Sequence, residues 1–229
     1  MLFGLSWDAD HGIWAFAWSV LPILLRGLLV TLQATVAGFA IAAVLGLLLA
    51  MLKAASWRAI AWPARFISEF LRDTPLLIQL FFLYYVLPDY GLVLPAFLTG
   101  ALALGLQYSA YLSEVYRAGL QAVPLGQRQA AWALGLSPMT GFRHVVLPQA
   151  LARIVPALGN YLISISKDVP LLGVVAVLEM LSVARIIGDR SYDYFTPLTM
   201  AGLIYLVLSL ASAALVRRLE HKLQLPARS

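Results

Sequence analysis

Long apolar runs broken by short clusters of Lys and Arg set the rhythm of this chain. Apolar positions dominate from about Leu28 to Met51 (after a lead-in from Ile13), Trp57 to Leu87, Pro95 to Leu120, Ala150 to Met180, and Pro197 to Val216. A helix rises about 1.5 Å per residue and needs about 20 apolar residues to cross hydrocarbon, so the pattern predicts about five spans. The second run is the least pure, with Arg65, Glu69, Arg72 and Asp73 in its first half. At roughly 45 Å it exceeds the hydrocarbon thickness, so its charged half is expected at the membrane surface or inside a bundle. Pro75 removes a backbone hydrogen bond there and favours a kink.

The basic residues orient the pattern. Lys53, Arg58 and Arg65 follow the first span, Arg117, Arg128 and Arg143 flank or occupy the link after the third, and Arg217, Arg218 and Lys222 follow the last. Basic loops stay in the cytoplasm, so the N-terminus is expected outside and the C-terminus inside. The link Pro88 to Leu94 has no basic residue and fits the outside. Ser182 to Thr196 balances Arg185 and Arg190 against Asp189 and Asp193 and reads as an outer loop. Trp14 and Trp18 suit the headgroup zone, and Arg26 can snorkel.

Composition agrees with a membrane setting. The 229 residues are 62% hydrophobic and 12% charged, against about 25% charged in soluble domains. The net charge of +5 sits at the ends of apolar runs, which argues for membrane orientation rather than nucleic acid. Absence of Cys excludes disulfides and thiolate metal sites, and His11, His144 and His221 lack metal-ligand spacing. The first ten residues carry Asp8 and Asp10 without a basic start, so no cleavable leader is expected. No Gly-x-Ser-x-Gly, His-Glu-x-x-His or Gly-x-x-x-x-Gly-Lys-Ser/Thr motif occurs, so neither hydrolysis nor ATP binding is expected of this chain.

The most polar interval lies at about 121–148 and predicts two short helices at an angle. Pro124 suits a first helical position, Gly135 a left-handed stop, Ser137 an N-cap, and Pro138 the next first turn. Ala130, Ala131 and Ala133 keep the first helix slim enough for another surface to approach. Leu147-Pro148 would start the next membrane helix.

These residues resemble the cytoplasmic loop of permease subunits in ATP-binding-cassette (ABC) importers: Glu-Ala-Ala, three residues, Gly, nine residues, Ile, any residue, Leu-Pro. Gln129, Ala130, Ala131, Gly135, Val145, Leu147 and Pro148 keep every spacing, with Gln in place of Glu and Val in place of Ile. The stretch RDTPLLIQLFFLYYVLP, with Asp73 where many members have Gly, is similar to the polar-amino-acid branch (the histidine/glutamine permeases). EVYRAGLQAVPLGQ, SKDVPLL and YDYFTPLTMAGLIYLVLS also look like ectoine and hydroxyectoine permeases. The resemblance implies an all-α integral membrane protein of the type I importer fold, one permease domain over 1–229 in the inner (plasma) membrane. Its implied partners are a cytoplasmic ATPase holding ATP and Mg, a second identical or related permease chain, an extracytoplasmic solute-binding protein and the lipid bilayer. Gln129, Ala130, Ala131, Gly135, Leu147 and Pro148 are the expected ATPase-coupling residues.

Charges inside spans cost about 2.5–3.5 kcal/mol on insertion scales and need a reason. Glu114, Lys167 and Asp168 are candidates for binding the two ends of a small zwitterion, since transporter sites form beside interrupted helices. Gln79, Gln107, Tyr111 and Asn160 are neutral candidates along the same path. Gln107, Tyr111 and Glu114 share a helix face, and so do Asn160, Ser164 and Lys167. Structural pairing is the alternative: Glu114 with Arg117 at i, i+3, and Asp168 with Lys167 or another helix. A secondary transporter or channel without an ATPase, and a membrane scaffold that moves nothing, remain rival classes.

Overall fold

The computed structural model describes residues 2–7 and 12–223. The acidic stretch with Asp8, Asp10 and His11 lies outside the described residues. Apart from one bridge between Leu2 and Leu5, the regular structure described is helical. The helices are α1 (Ile13–Lys53), α2 (Arg58–Asp73), α3 (Leu76–Phe81), α4 (Ala96–Gln121), α5 (Leu125–Ala133), α6 (Pro138–Gly141), α7 (Leu147–Asp168), α8 (Met180–Ser191) and α9 (Phe195–Leu223). Among the described residues, Ile13–Lys53, Pro138–Val175 and Phe195–Lys222 are long and apolar enough to cross a membrane. Arg58–Asp73 with Leu76–Tyr90 makes a fourth candidate, bent by 102°.

α4, of 26 residues, packs among these helices but is not apolar enough to belong to that set. It can be polar because its neighbours shield it: Gln107, Ser109 and Ser113 are all buried. α1 and α4 run parallel, and small residues let them touch along their length. A Cβ on Gly38 would lie 2.9 Å from Leu104 Cβ, and one on Gly105 only 2.3 Å from Ile41 Cγ2. α7 returns antiparallel to α4 and α9 descends beside α7. The core of this bundle includes Leu80, Leu104, Leu112, Ile165 and Leu172. Ile23 and Leu24 of α1 meet Met180, Val183 and Ile187 of α8 in a second cluster at the far end, away from the loop.

Five sequence expectations change. The lead-in from Ile13 belongs to α1, which makes one helix of 41 residues with Trp14 and Trp18 exposed. Arg26, instead of reaching only for the headgroups, donates to the Phe3 carbonyl. The second run is two helices rather than one kinked span. Thr74 and Pro75 both adopt extended backbone, so α2 turns aside as an amphipathic helix with Trp62, Phe66 and Phe70 exposed. The α-helical part of the fourth span ends at Asp168, and because Pro170 cannot continue the ladder the segment goes on as the 3-10 turn Val169–Val175. Finally, most of the expected outer loop is α8. Its buried residues Val183, Ala184, Ile187 and Gly188 recur at helical spacing, while the charges lie on the exposed face.

Candidate functional site: a capped loop, an ion cluster and a tyrosine face

The loop at one end of the bundle is built by local chemistry. α5 begins after Pro124, which sits at the N-cap rather than the first helical position. Gly135 stops it at φ +71°, a conformation only Gly adopts without strain. Ser137 caps α6: its Oγ accepts from Thr140 N at 3.2 Å, and Pro138 follows at the first position. A π-turn, Phe142–Val146, then feeds α7 at Leu147.

Gln129 and Ala130 are exposed on α5, as are Leu147's neighbour Pro148 and Gly135. Ala131 is not. It is 3% exposed and lies 3.4 Å from where a Gly141 Cβ would sit, so its small size serves the packing of α5 on α6. The surface open to another molecule is instead apolar: Leu125 (72% exposed), Trp132 (65%), Leu134 (79%) and Met139 (72%).

At the same end, three helices meet on Lys53. Its Nζ is buried and donates to Ser68 Oγ of α2 at 3.1 Å, Ser113 Oγ of α4 at 2.8 Å and Glu114 Oε1 at 2.6 Å. Arg117 Nε and Nη2 reach the other oxygen, Oε2, at 2.7 Å and 2.6 Å. A half-buried carboxylate between two cations recovers the hydration it lost through charge-assisted bonds. The cluster borders a polar cavity of about 490 Å³ that also takes in Arg65, Glu69 and Arg72.

The buried amides deal with the break in the second passage. Thr74 and Pro75 leave the Leu71 and Thr74 carbonyls without helical partners. Gln79 and Gln107 meet at 2.5 Å beside them, and whichever amide turns its nitrogen inward, both carbonyls receive an N–H. Tyr111 Oη adds a donor to the Arg72 carbonyl at 3.4 Å.

Higher in the bundle, Tyr108 Oη donates to Asp168 Oδ2 at 2.7 Å. The rings of Tyr108, Tyr111 and Tyr161 form a mutual cluster with centroids 5.9–6.2 Å apart. Asn160 and Lys167 are exposed on the adjoining α7, with Ser164 bonding to the Asn160 carbonyl at 3.2 Å. The structure therefore brings Gln79, Gln107 and Tyr111 together, and sets Asp168, Asn160 and Lys167 on one helix near Tyr108. Glu114 stands apart from these: it is six residues from Tyr108 along α4, about 9 Å, and belongs to the Lys53 cluster.

Two buried groups escaped the sequence reading. Lys53 was visible only as an orienting charge, because its partner lies 61 residues away. Glu179 lies at the start of α8, fully buried. It accepts from Leu181 N at 2.8 Å, Ser182 N at 2.5 Å and Tyr205 Oη at 3.1 Å, while Thr31 Oγ1 accepts from Met180 N at 3.2 Å. An acidic residue beside a helix start, three before Ser182 at the apolar edge of α8, was a cap signal available in the sequence.

Comparison with known proteins gives a consistent result. Residues 42–225 match the family described as "binding-protein-dependent transport system inner membrane component". "Probable amino-acid ABC transporter permease protein y4tG" of Sinorhizobium fredii is 59% identical over 97% of this chain and 96% of its own. The arginine transport system permease protein ArtQ of Bacillus subtilis is 36% identical, covering 89% and 94%. A solved amino acid ABC transporter with histidines superposes with a TM-score of 0.84 at 37% identity, over 88% of this chain and 94% of that one. The MetNI methionine transporter in inward-facing form shares the fold, with a TM-score of 0.66 at 22% identity over 87% and 97%.

Proposed function

Because the chain belongs to the family of binding-protein-dependent transport system inner membrane components, and is the membrane-spanning permease subunit of an ABC importer, we propose that it moves amino acids or kindred small zwitterions inward. The observation that carries this reading is the loop: two short capped helices presenting Trp132, Leu134 and Met139 outward at one end of a helical bundle. Its spacing of Gln129, Ala130, Ala131, Gly135, Leu147 and Pro148 fits a coupling element for a separate ATPase that holds ATP and Mg. Lys53, Arg65, Arg128 and Arg143 gather at this end, which supports a cytoplasmic loop, an external N-terminus and an internal C-terminus.

In this reading a second permease chain, identical or closely related, completes the pathway, and an extracytoplasmic binding protein delivers the solute. ATP favours one packing of the helices over another through differential contacts at the loop, and the cavity alternates between the two faces. Asp168 takes the cationic end of the solute, with the Tyr108, Tyr111 and Tyr161 rings beside it. Lys167 or Asn160 takes the carboxylate end. Gln79 and Gln107 hold the broken helix open to the path, and Glu114 serves assembly more than solute contact. The names of the relatives support amino acids in general, and the ectoine-like segments single out one compact zwitterion to try.

The test combines capture with uptake. The tagged chain is expressed with the ATPase from its own source, and Leu134→Glu is compared with wild type. Wild type is expected to retain the ATPase and Leu134→Glu to lose it. In vesicles containing the assembled transporter, Asp168→Asn is expected to lower uptake of labelled arginine, glutamine or ectoine at least about tenfold with the ATPase still bound. Transport that continues without ATP and stops with the ion gradient would replace this reading with a secondary transporter. Normal uptake by Asp168→Asn, with failed assembly, would favour the scaffold.

A further inference from the structure

Behind the loop, on the side that faces α1, lies an apolar cavity of about 480 Å³. Its walls are the last turns of α1 (Leu47, Met51, Ala54), Tyr116 of α4, and Trp132 and Phe142 of the loop. Two guanidinium groups, Arg117 and Arg128, line it, and no carboxylate does. Arg128 donates to the Leu120 carbonyl at 2.8 Å through one terminal nitrogen, but its Nε is buried with no acceptor among the described residues. A buried donor left without an acceptor is uncommon, because the group has lost its water for nothing.

We propose that this cavity binds an anionic phospholipid, with an acyl chain along α1 and the phosphate at Arg128. Three observations converge. The cavity is lined by Leu47 and Met51, exposed apolar residues of a membrane-crossing helix, so a lipid chain reaches it without leaving hydrocarbon. The cavity sits where that helix ends in Lys53, and in the topology proposed above such a basic end lies at the cytoplasmic headgroups. Finally, Arg117 is already paired with Glu114 while Arg128 has no ion pair among the described residues, so a phosphate beside the Arg128 guanidinium supplies the missing counter-charge. Because the loop forms one wall, the lipid would brace α5 against α1 and stiffen the loop from behind.

The full-length chain, extracted from membranes in a mild detergent, is titrated with phosphatidylglycerol, phosphatidylcholine or glycerol phosphate, and binding is read by native mass spectrometry and by the shift in thermal unfolding. Phosphatidylglycerol is expected to bind and stabilise wild type, phosphatidylcholine to do so about tenfold more weakly, and glycerol phosphate not at all. Arg128→Gln is expected to weaken phosphatidylglycerol about tenfold, while Arg143→Gln, an exposed arginine of the same loop, leaves it unchanged. Ala54→Trp fills the cavity and keeps every charge, so it decides the matter if Arg128→Gln fails to fold; it is expected to abolish the bound lipid. The proposal is overturned if Ala54→Trp retains the lipid, if Arg143→Gln is as damaging as Arg128→Gln, or if glycerol phosphate or phosphatidylcholine binds as well as phosphatidylglycerol.

Discussion

The two ends of the bundle each bury a charge, and they stabilise it by different means. At the loop end, Lys53 and Glu114 rely on each other, on Arg117 and on two serines contributed by α2 and α4. At the far end, Glu179 relies on the backbone N–H groups that start α8, with Tyr205 as its one side-chain partner among the described residues. Side chains on three helices can part and meet again as those helices move. Backbone donors at a helix start cannot leave without unwinding it, and the helix dipole reinforces them. The loop end is therefore built to be separable and the far end to be fixed.

Breaking the fixed end is expected to have the largest effect. Glu179→Ala removes the α8 cap and strands the Tyr205 hydroxyl, and should cost about 3–5 kcal/mol of stability, seen as a large fall in detergent unfolding temperature. Glu179→Gln keeps an acceptor and should recover more than half of that loss. If Glu179→Gln is as damaging as Glu179→Ala, charge rather than capping holds the far end.

Next comes Lys53→Met, which leaves Glu114 with Arg117 alone and should cost about 1–2 kcal/mol in the same measurement. The double change Lys53→Met/Glu114→Gln should cost less than the two single changes added, with a coupling of about 1 kcal/mol. Strict additivity would mean the cluster is not a unit and would erase the contrast between the ends. The smallest effect belongs to the loop itself. Ser137→Ala should cost about 1 kcal/mol locally, read as faster amide exchange at Met139–Gly141 with little change in global unfolding.

Much of the loop was legible in the sequence because its chemistry is local. Gly135 and Ser137 dictate a stop and a start within three residues, and both are found there. Pro75 marked the break in the second passage. Its size depended on Thr74 and Pro75 both becoming extended, which needed the Gln79–Gln107 amides to satisfy the freed carbonyls. That pairing joins residues 28 apart, and Lys53 meets Glu114 across 61, so neither follows from spacing along one helix. Ala131 misled for a related reason: a small residue reads the same whether its space is kept for a partner or filled by Gly141 of its own loop. α8 was missed because its charges outweighed the buried spacing of Val183, Ala184, Ile187 and Gly188.

The close seam between α1 and α4 has a mechanical meaning. With Gly38 against Leu104 and Gly105 against Ile41, a slide of one helix along the other would drive side chains into backbone. The pair therefore tilts together or not at all. α1 has 41 residues, about 60 Å at the usual helical rise, so a tilt of about 5° pivoted at one end displaces the other by about 5 Å. The two helices act as one lever arm, and a small change of angle at one end becomes a displacement of several ångströms at the other.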